Sequence, residues 1–154
     1  MYRTHMSSRP AEDPDLVAVD EALLRLRRFF RTPAALEHDN RSVDLSTLLV
    51  VTAIAAEPAG EASVGQIATA LEVAPSTASR LVGRAETCGV VVRLAGRVDA
   101  RQSLVRLTPD GVALHERART FRHARLRAAT AGFTTEEKHQ FARLLTRFAA
   151  GAGS

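Results

Sequence analysis

The stretch that decides the fold runs from Ser63 to Leu107 and reads SVGQIATALEVAPSTASRLVGRAETCGVVVRLAGRVDARQSLVRL. It opens with Ser63 and, three residues later, Gln66, which is the spacing of a capping box at the start of a helix. A short helix is therefore predicted over residues 64–71. Further along, the apolar pattern changes from helical spacing to runs of β-branched residues, which indicates helices followed by strands.

A second helix follows the first almost directly. Glu72 to Ala74 indicates a tight turn, Pro75 suits the first position of a helix, and Gly89 ends that helix after about Cys88. Two short helices joined by such a turn are typical of a helix-turn-helix. The positions predicted to face inward on the second helix are Ala78, Leu81, Val82 and Ala85.

The polar side of the second helix suits contact with DNA. Small hydroxyl side chains near its amino end permit a close approach to a major groove, where the helix dipole adds positive potential. Arg80 has the reach and the planar fork to bind a guanine or a phosphate. A polar face that only meets water is the competing interpretation. The predicted DNA contacts on this helix are Ser76, Thr77, Ser79, Arg80 and Arg84.

A β-hairpin is predicted immediately after the helix pair. Residues 90–94 and 103–107 are rich in β-branched and apolar side chains, and a polar tip at residues 95–102 joins them. The tip carries Arg97 and Arg101, which can lie along a phosphate backbone or enter a minor groove. Because this hairpin follows the helix pair directly, it favours the DNA-binding interpretation over the water-facing one.

Helices are predicted on both sides of this stretch. They show apolar side chains at helical spacing, and several begin at a capping residue. With one hairpin among helices and no βαβ unit, the expected fold class is mainly α with a small β-wing. The predicted flanking helices cover residues 14–31 with Asp13 as cap, 45–57, 108–129 with Thr108 as cap, and 135–149 after the capping box of Thr134 and Glu137.

Composition and charge exclude several classes of protein. The 154 residues are 45% apolar and 25% charged, which suits one globular core. No apolar run approaches the ~18 residues of a membrane span, and the amino end lacks the apolar stretch of a signal peptide, so a soluble, cytoplasmic protein is expected. Residues 63–107 hold six arginines against three acids, which favours a polyanionic partner.

The residue types needed for catalysis or metal binding are scattered. Cys88 is the single cysteine, so it forms no intrachain disulfide and is either a structural thiol or a redox-responsive one. The five histidines are dispersed, with His115 and His123 too far apart on one helix to share a metal. We therefore expect no enzymatic activity, no cofactor and no metal site.

Four short motifs resemble, in order and spacing, those of the MarR family of winged helix-turn-helix transcriptional regulators. The resemblance covers about Leu16 to Ala149. It departs from the family at Ala74, which is a poor helix cap, at Gly83, which costs ~1 kcal/mol inside a helix, and at Ala85, where a larger apolar residue is usual. The motifs are the recognition helix Ala74–Val82, the strand entry Cys88–Arg93, the wing Asp99–Arg101 and the exit Leu107–Gly111.

The resemblance implies a homodimer whose first and last helices interleave. It also implies that Arg101 reaches the minor groove and that Asp99 orients the wing by pairing with an arginine, either Arg101 itself or Arg80 or Arg84; a simple turn-forming role for Asp99 is the alternative. The implied domains are a flexible segment 1–13, a winged helix-turn-helix domain 45–107, and a helical dimerisation region formed by 14–44 and 108–150.

The function implied by the resemblance is repression of transcription. A homodimer would bind a pseudo-palindromic site on double-stranded DNA and leave it when a small-molecule effector binds, with no effector-binding residues assigned. Three alternatives remain open: a thiol-based regulator that responds to oxidants through Cys88, a winged-helix module that binds protein, and an architectural binder indifferent to DNA sequence.

Overall fold

The structure is a computed structural model that describes residues 13–26, 37–38, 41–94 and 104–152. It comprises two compact units, Met1–Thr32 and Pro33–Ser154. The described part of the first unit is helix α1, Pro14–Leu26. A carboxylate oxygen of Asp13 accepts a hydrogen bond from the Asp15 amide at 2.9 Å, so Asp13 caps α1 as predicted. The predicted extension of this helix to residue 31 lies outside the described residues.

The second unit is mainly helical and carries a small antiparallel sheet, which confirms the predicted fold class. Short strands β1 (Glu37–His38) and β2 (Arg41–Ser42) pair with each other before the first helix of this unit. The elements that follow are α2 (Leu45–Ala56), β3 (Glu61–Ser63), α3 (Val64–Ala70), α4 (Pro75–Thr87), β4 (Val91–Leu94), β5 (Leu104–Leu107), α5 (Pro109–Ala129) and α6 (Thr135–Ala152).

The helix starts are fixed by the side chains that the sequence indicated. Ser63 Oγ accepts from the Gln66 amide at 3.1 Å, and Gln66 Oε1 accepts from the Ser63 amide at 2.8 Å, which completes the predicted capping box of α3. The Thr134 hydroxyl accepts from the Glu137 amide at 3.2 Å, while the Glu137 carboxylate accepts from the Thr134 amide at 2.7 Å. Hydrogen bonds to the carboxylate from the Thr134 amide and from the Thr134 hydroxyl lower the pKa of Glu137 below its ordinary value.

The sheet has three strands in the order β3-β5-β4, one more than the hairpin predicted. β3 is only three residues long, and its central residue Ala62 lies opposite Val105 of β5. Ala62 and Val105 are both fully buried, so β3 closes one edge of the sheet over the core. A strand this short shows too little alternation of apolar and polar residues to be recognised from sequence.

One core joins α2, α4, the sheet and α5. Three of the four predicted inward positions of α4 are fully buried, and the fourth, Leu81, is half-buried against the same core. Helix α4 is therefore packed against the core by its apolar side, and its polar side is left outside. The largest fully buried side chains are Ile54, Ile67, Leu114, Val50, Val51, Val82, Val90 and Val105.

The start of α5 is tied closely to the end of α4. The Thr108 hydroxyl accepts from the Gly111 amide at 3.1 Å, as predicted for its cap, and donates to the Gly89 carbonyl at 2.7 Å. A Cβ atom on Gly111 would collide with the backbone carbonyl of Val90, so only glycine permits this approach. Gly89 itself has a φ of 73°, the left-handed conformation that ends α4.

None of the helices within the described ranges has both the length and the apolar character that crossing a membrane requires.

Candidate nucleic-acid interface

The turn between α3 and α4 fixes the entry of the predicted recognition helix. The Glu72 amide donates to the Thr69 carbonyl at 3.1 Å, and the Val73 amide donates to the Ala68 carbonyl at 3.0 Å. These two bonds form a Schellman motif, which needs a left-handed residue after the helix. Glu72 supplies this left-handed residue with a φ of 53°, a backbone conformation that residues other than glycine seldom adopt.

The amino end of α4 is open. Ala74 occupies the cap position and makes no side-chain hydrogen bond, as expected from its residue type, and Pro75 follows at the first helical position. The partial positive charge of a helix amino terminus is therefore not offset by a capping side chain. Ser76 is exposed at this end, beside that positive potential.

The structure brings most of the predicted contacts on α4 to its outer side. Ser76, Ser79, Arg80 and Arg84 are exposed, whereas Thr77 is half-buried. Ser76, Arg80 and Arg84 are four residues apart and therefore follow one another along one face of the helix. This face combines a hydroxyl near the helix start with two guanidinium groups further along it.

The two arginines of this face differ in their surroundings. Arg80 forms no ion pair with any residue that the structure describes. Arg84 Nη1 lies 3.9 Å from Asp44 Oδ2, and both side chains are exposed. Such an exposed pair contributes little to stability but sets the local charge beside α4.

Asp44 was missed as a site residue by the sequence analysis. It caps α2, because its carboxylate accepts from the Thr47 amide at 2.7 Å and from the Ser46 hydroxyl at 2.9 Å. Burial by itself raises the pKa of Asp44, but the hydrogen bonds from Thr47 and Ser46 and the positive charge of Arg84 outweigh it. The net pKa lies below the ordinary value, so a carboxylate is held beside Arg84 at neutral pH. The signal in the sequence was an aspartate directly before the apolar run of α2.

An open cleft of about 520 Å³ lies between α4 and the start of α2. The cleft has open space beside Gly83, where an added Cβ atom would have no neighbour within 4 Å. Cys88 also lines the cleft and is half-buried, with its side chain packed against the core. The cleft is lined by Asp44, Thr47, Arg80, Gly83, Arg84, Thr87 and Cys88.

The arginines on the described strands of the wing are paired within the chain. Arg106 of β5 lies 3.0 Å from Glu61 of β3, and Arg93 of β4 lies 3.4 Å from Glu86 of α4. Each guanidinium would therefore have to break its ion pair with Glu86 or Glu61 before it could bind a phosphate. The predicted residues of the wing tip, Arg97, Asp99 and Arg101, lie outside the described residues.

The chain matches the model of the MarR family over residues 42–102, which span α2, the helix-turn-helix and the first wing strand. No curated protein sequence matches the chain. Among solved structures, a MarR family protein from Bacillus stearothermophilus is 25% identical, with a TM-score of 0.69 over 94% of this chain and 100% of that one.

Two further structures share the fold. The MarR protein from Peptoclostridium difficile is 16% identical, with a TM-score of 0.72 over 99% of this chain and 95% of that one. BpsR from Bordetella bronchiseptica, whose DNA binding is regulated by 6-hydroxynicotinic acid, is 21% identical, with a TM-score of 0.64 over 86% of this chain and 98% of that one. The matched segment includes three of the four motifs singled out in the sequence, and the fourth, Leu107–Gly111, follows it in the chain.

Proposed function

We propose that the chain, which matches the MarR family model over residues 42–102 and shares the fold of MarR family structures, is a sequence-specific DNA-binding transcriptional regulator rather than an enzyme. We place its action in the cytoplasm, on a pseudo-palindromic site in double-stranded DNA. The observation that carries the proposal is the outer face of α4, where exposed Ser76, Arg80 and Arg84 follow an uncapped helix end.

That face has the chemistry of a major-groove reader. The open amino end of α4 favours a phosphate, and Arg80 can form the paired hydrogen bonds that distinguish guanine. Ser79 is exposed beside it and adds a hydroxyl for a base edge or a phosphate. In this account Arg97 and Arg101 at the tip of the wing grip the neighbouring minor groove while Asp99 orients them.

A homodimer is the form of the protein that we propose binds DNA. None of the 18 residues of α6 is buried, although Phe141, Leu144, Leu145 and Phe148 follow one another at helical spacing and are 41–47% exposed. An apolar stripe of this kind is expected to be covered by another protein surface. A two-fold dimer formed through it would present two copies of α4 to grooves ~34 Å apart.

A cleft between α5 and α6 supports the same dimer. It has a volume of about 590 Å³, and Leu126, Phe141 and Leu145 lie on its walls. Phe133 packs edge-on against Phe141, with ring centroids 5.9 Å apart, so the turn between the two helices is anchored while the cleft stays open. An apolar helix from a second copy, such as that copy's α1 with its exposed Leu16, Val19 and Leu23, would fill it.

The regulatory role that we propose is repression, relieved by a small-molecule effector. The support is the similarity in fold to BpsR, whose DNA binding is regulated by 6-hydroxynicotinic acid. Release requires that the effector bind the DNA-free arrangement of the dimer more tightly than the DNA-bound one. A panel of small aromatic acids added to the DNA complex tests this step, and a regulator of this kind releases DNA with at least one of them.

The test of the proposed function is the salt dependence of DNA binding, measured by fluorescence anisotropy on duplexes that the chain selects from a random pool. Arg80→Ala and Arg101→Ala are compared with Arg119→Ala, a control whose guanidinium is 53% exposed and bound to Glu116 on α5. The first two variants should weaken binding at least tenfold, and a lost phosphate contact lowers the salt slope by about one. The control should bind as the unaltered chain does.

Other outcomes separate the alternatives. A module that binds protein has no DNA affinity to lose, so weak binding that is equal in all three variants would reject the proposal in its favour. A ratio near one between selected and random duplexes would indicate an architectural binder indifferent to sequence.

The thiol-based alternative has one observation in its favour. Cys88 lines the same cleft as Arg80 and Arg84, so a change at its sulfur would occur beside the proposed DNA-contacting face. Peroxide treatment of the DNA complex, with the unaltered chain and Cys88→Ser side by side, tests whether regulation passes through the Cys88 thiol. Equal responses to peroxide exclude regulation through this thiol.

A further inference from the structure

Arg93 occupies a place in the sheet where an apolar side chain would be expected. In the antiparallel register it lies opposite Val105, which lies opposite Ala62, so the three residues share one face of the sheet. Val105 is 0% exposed and Ala62 is 1% exposed, which makes this the face that covers the core. A guanidinium at the end of such a row is costly unless its donors find acceptors.

Both acceptors of Arg93 belong to the recognition helix. Its Nε donates to a carboxylate oxygen of Glu86 at 3.4 Å, and its Nη2 donates to the backbone carbonyl of Ser79 at 3.4 Å. Ser79 and Glu86 are seven residues apart, which places them two turns apart on the same side of α4. Carbonyls point toward the carboxyl end of a helix while side chains lean toward its amino end, so the two acceptors converge on one planar guanidinium.

We propose that Arg93 is a positioning residue that fixes the orientation of the recognition helix relative to the wing. This inference rests on the DNA-binding function proposed above. Arg93 is 31% exposed on the core-covering face and is bound to α4 at two points. One of those points is the carbonyl of Ser79, whose hydroxyl is a predicted DNA contact. By fixing that turn of the helix, Arg93 enables α4 and the wing tip to engage one duplex together.

The chain offers a matched control on the neighbouring strand. Arg106 of β5 pairs across the sheet with Glu61 on the opposite face from Arg93, at 3.0 Å, and makes no hydrogen bond or ion pair with α4 within the described residues. Removing either guanidinium deletes one charge and one ion pair from the wing strands. Only the loss of Arg93 releases the recognition helix, so the pair of variants separates positioning from charge.

The experiment compares Arg93→Gln with Arg106→Gln on two probes: the duplex that the unaltered chain selects from a random pool and a random duplex of equal length. Arg93→Gln should weaken binding to the selected duplex about tenfold and binding to the random duplex less than about twofold. Its salt slope should stay unchanged, because no phosphate contact is lost. Arg106→Gln should leave both affinities within about twofold, and Arg93→Lys should recover part of the loss.

Two results would overturn the inference. A salt slope that falls by about one in Arg93→Gln would make Arg93 a direct phosphate contact instead. Equal losses on both duplexes, together with a lower melting temperature than Arg106→Gln shows, would make it a residue of the fold alone.

A measurement without DNA keeps this inference separate from the proposed function. Amide hydrogen exchange in the free protein should become about tenfold faster along α4 in Arg93→Gln, and should change little in α2. Unchanged exchange in α4 would overturn the positioning role. Failure of the unaltered chain to select any duplex would instead overturn the DNA-binding proposal, while faster exchange would still show that Arg93 restrains the helix.

Discussion

Apolar side chains are buried in the winged-helix core but exposed in the carboxyl-terminal helix α6. In the core, Val50, Val51 and Ile54 of α2 and Val82 of α4 are 0% exposed. In α6, by contrast, no residue is buried, and its apolar stripe remains accessible. Both regions have helical spacing of apolar residues, so the difference lies in what covers them. The core is completed within one chain, whereas the described residues leave the apolar stripe of α6 uncovered.

The two proposed interfaces follow from this difference in burial. On α4 the apolar side is covered and the polar side is exposed, which leaves a surface suited to DNA. On α6 the apolar side is itself exposed, which leaves a surface suited to another protein chain. Substitutions in the two regions should therefore affect different properties: stability of the single chain in the core, and association of chains at α6.

The largest effect is expected where the core is tightest. Gly111→Ala places a Cβ atom against the Val90 carbonyl, and its accommodation requires the start of α5 to move. We expect a loss of about 3 kcal/mol in the free energy of unfolding, measured by urea denaturation. A loss below about 0.5 kcal/mol would show that α5 is not held against the end of α4.

A smaller effect on stability and a larger one on assembly are expected at α6. Phe148→Ser removes an aromatic side chain from the stripe and should weaken the homodimer by about 2 kcal/mol, close to thirtyfold, in sedimentation equilibrium. Val112→Ser is the control, because Val112 is an apolar residue of α5 that is 51% exposed outside the stripe. Equal dissociation constants for the two variants would place the interface elsewhere.

Gly83 inside α4 should respond to substitution in the opposite way to Gly111 at the start of α5. Gly83 is helical and has open space around its Cβ position, so Gly83→Ala removes a glycine penalty without a collision. The free energy of unfolding should rise by about 1 kcal/mol in the same urea titration. Destabilisation by Gly83→Ala would mean that the cleft beside α4 is closed in solution.

The smallest effect is expected at Asp44 and should depend on pH. Its pKa is lowered in the folded state, so the carboxylate contributes stability above the ordinary value of 3.8 and loses it as the pH falls through the folded-state pKa. Asp44→Asn keeps a helix cap but loses this charge. Because Asp44 is largely exposed, the two proteins should differ by less than about 1 kcal/mol at pH 7, and the difference should shrink in acid. A difference in the free energy of unfolding that does not change with pH would contradict a lowered pKa of Asp44 in the folded state.

Local sequence signals were sufficient to predict most of the fold. The capping box at Ser63 and the glycine at position 89 mark helix ends through bonds between near neighbours, so the limits of α3 and α4 followed from the sequence. The inward positions of α4 followed from helical spacing. Strand β3 was missed because its pairing partner lies more than forty residues away, at Arg106 and its neighbours.

The site was predicted less completely than the fold. The outer face of α4 follows from the same spacing that gives its inner face, so Ser76, Ser79, Arg80 and Arg84 are exposed as expected. The pairing of Arg84 with Asp44 and of Arg93 with α4 depends on tertiary packing, and no local pattern encodes it. The roles of the wing-tip residues remain predictions.

Selection of duplexes from a random pool at physiological salt, carried out with the unaltered chain and with Arg80→Ala, tests whether the outer face of α4 reads DNA. The unaltered chain should enrich two inverted half-sites about ten base pairs apart, as expected for two copies of α4 in successive major grooves. Arg80→Ala should lose the preference at one base position in each half-site while keeping the spacing. Enrichment of no sequence, or of an identical sequence by both proteins, would contradict the reading of DNA by the outer face of α4.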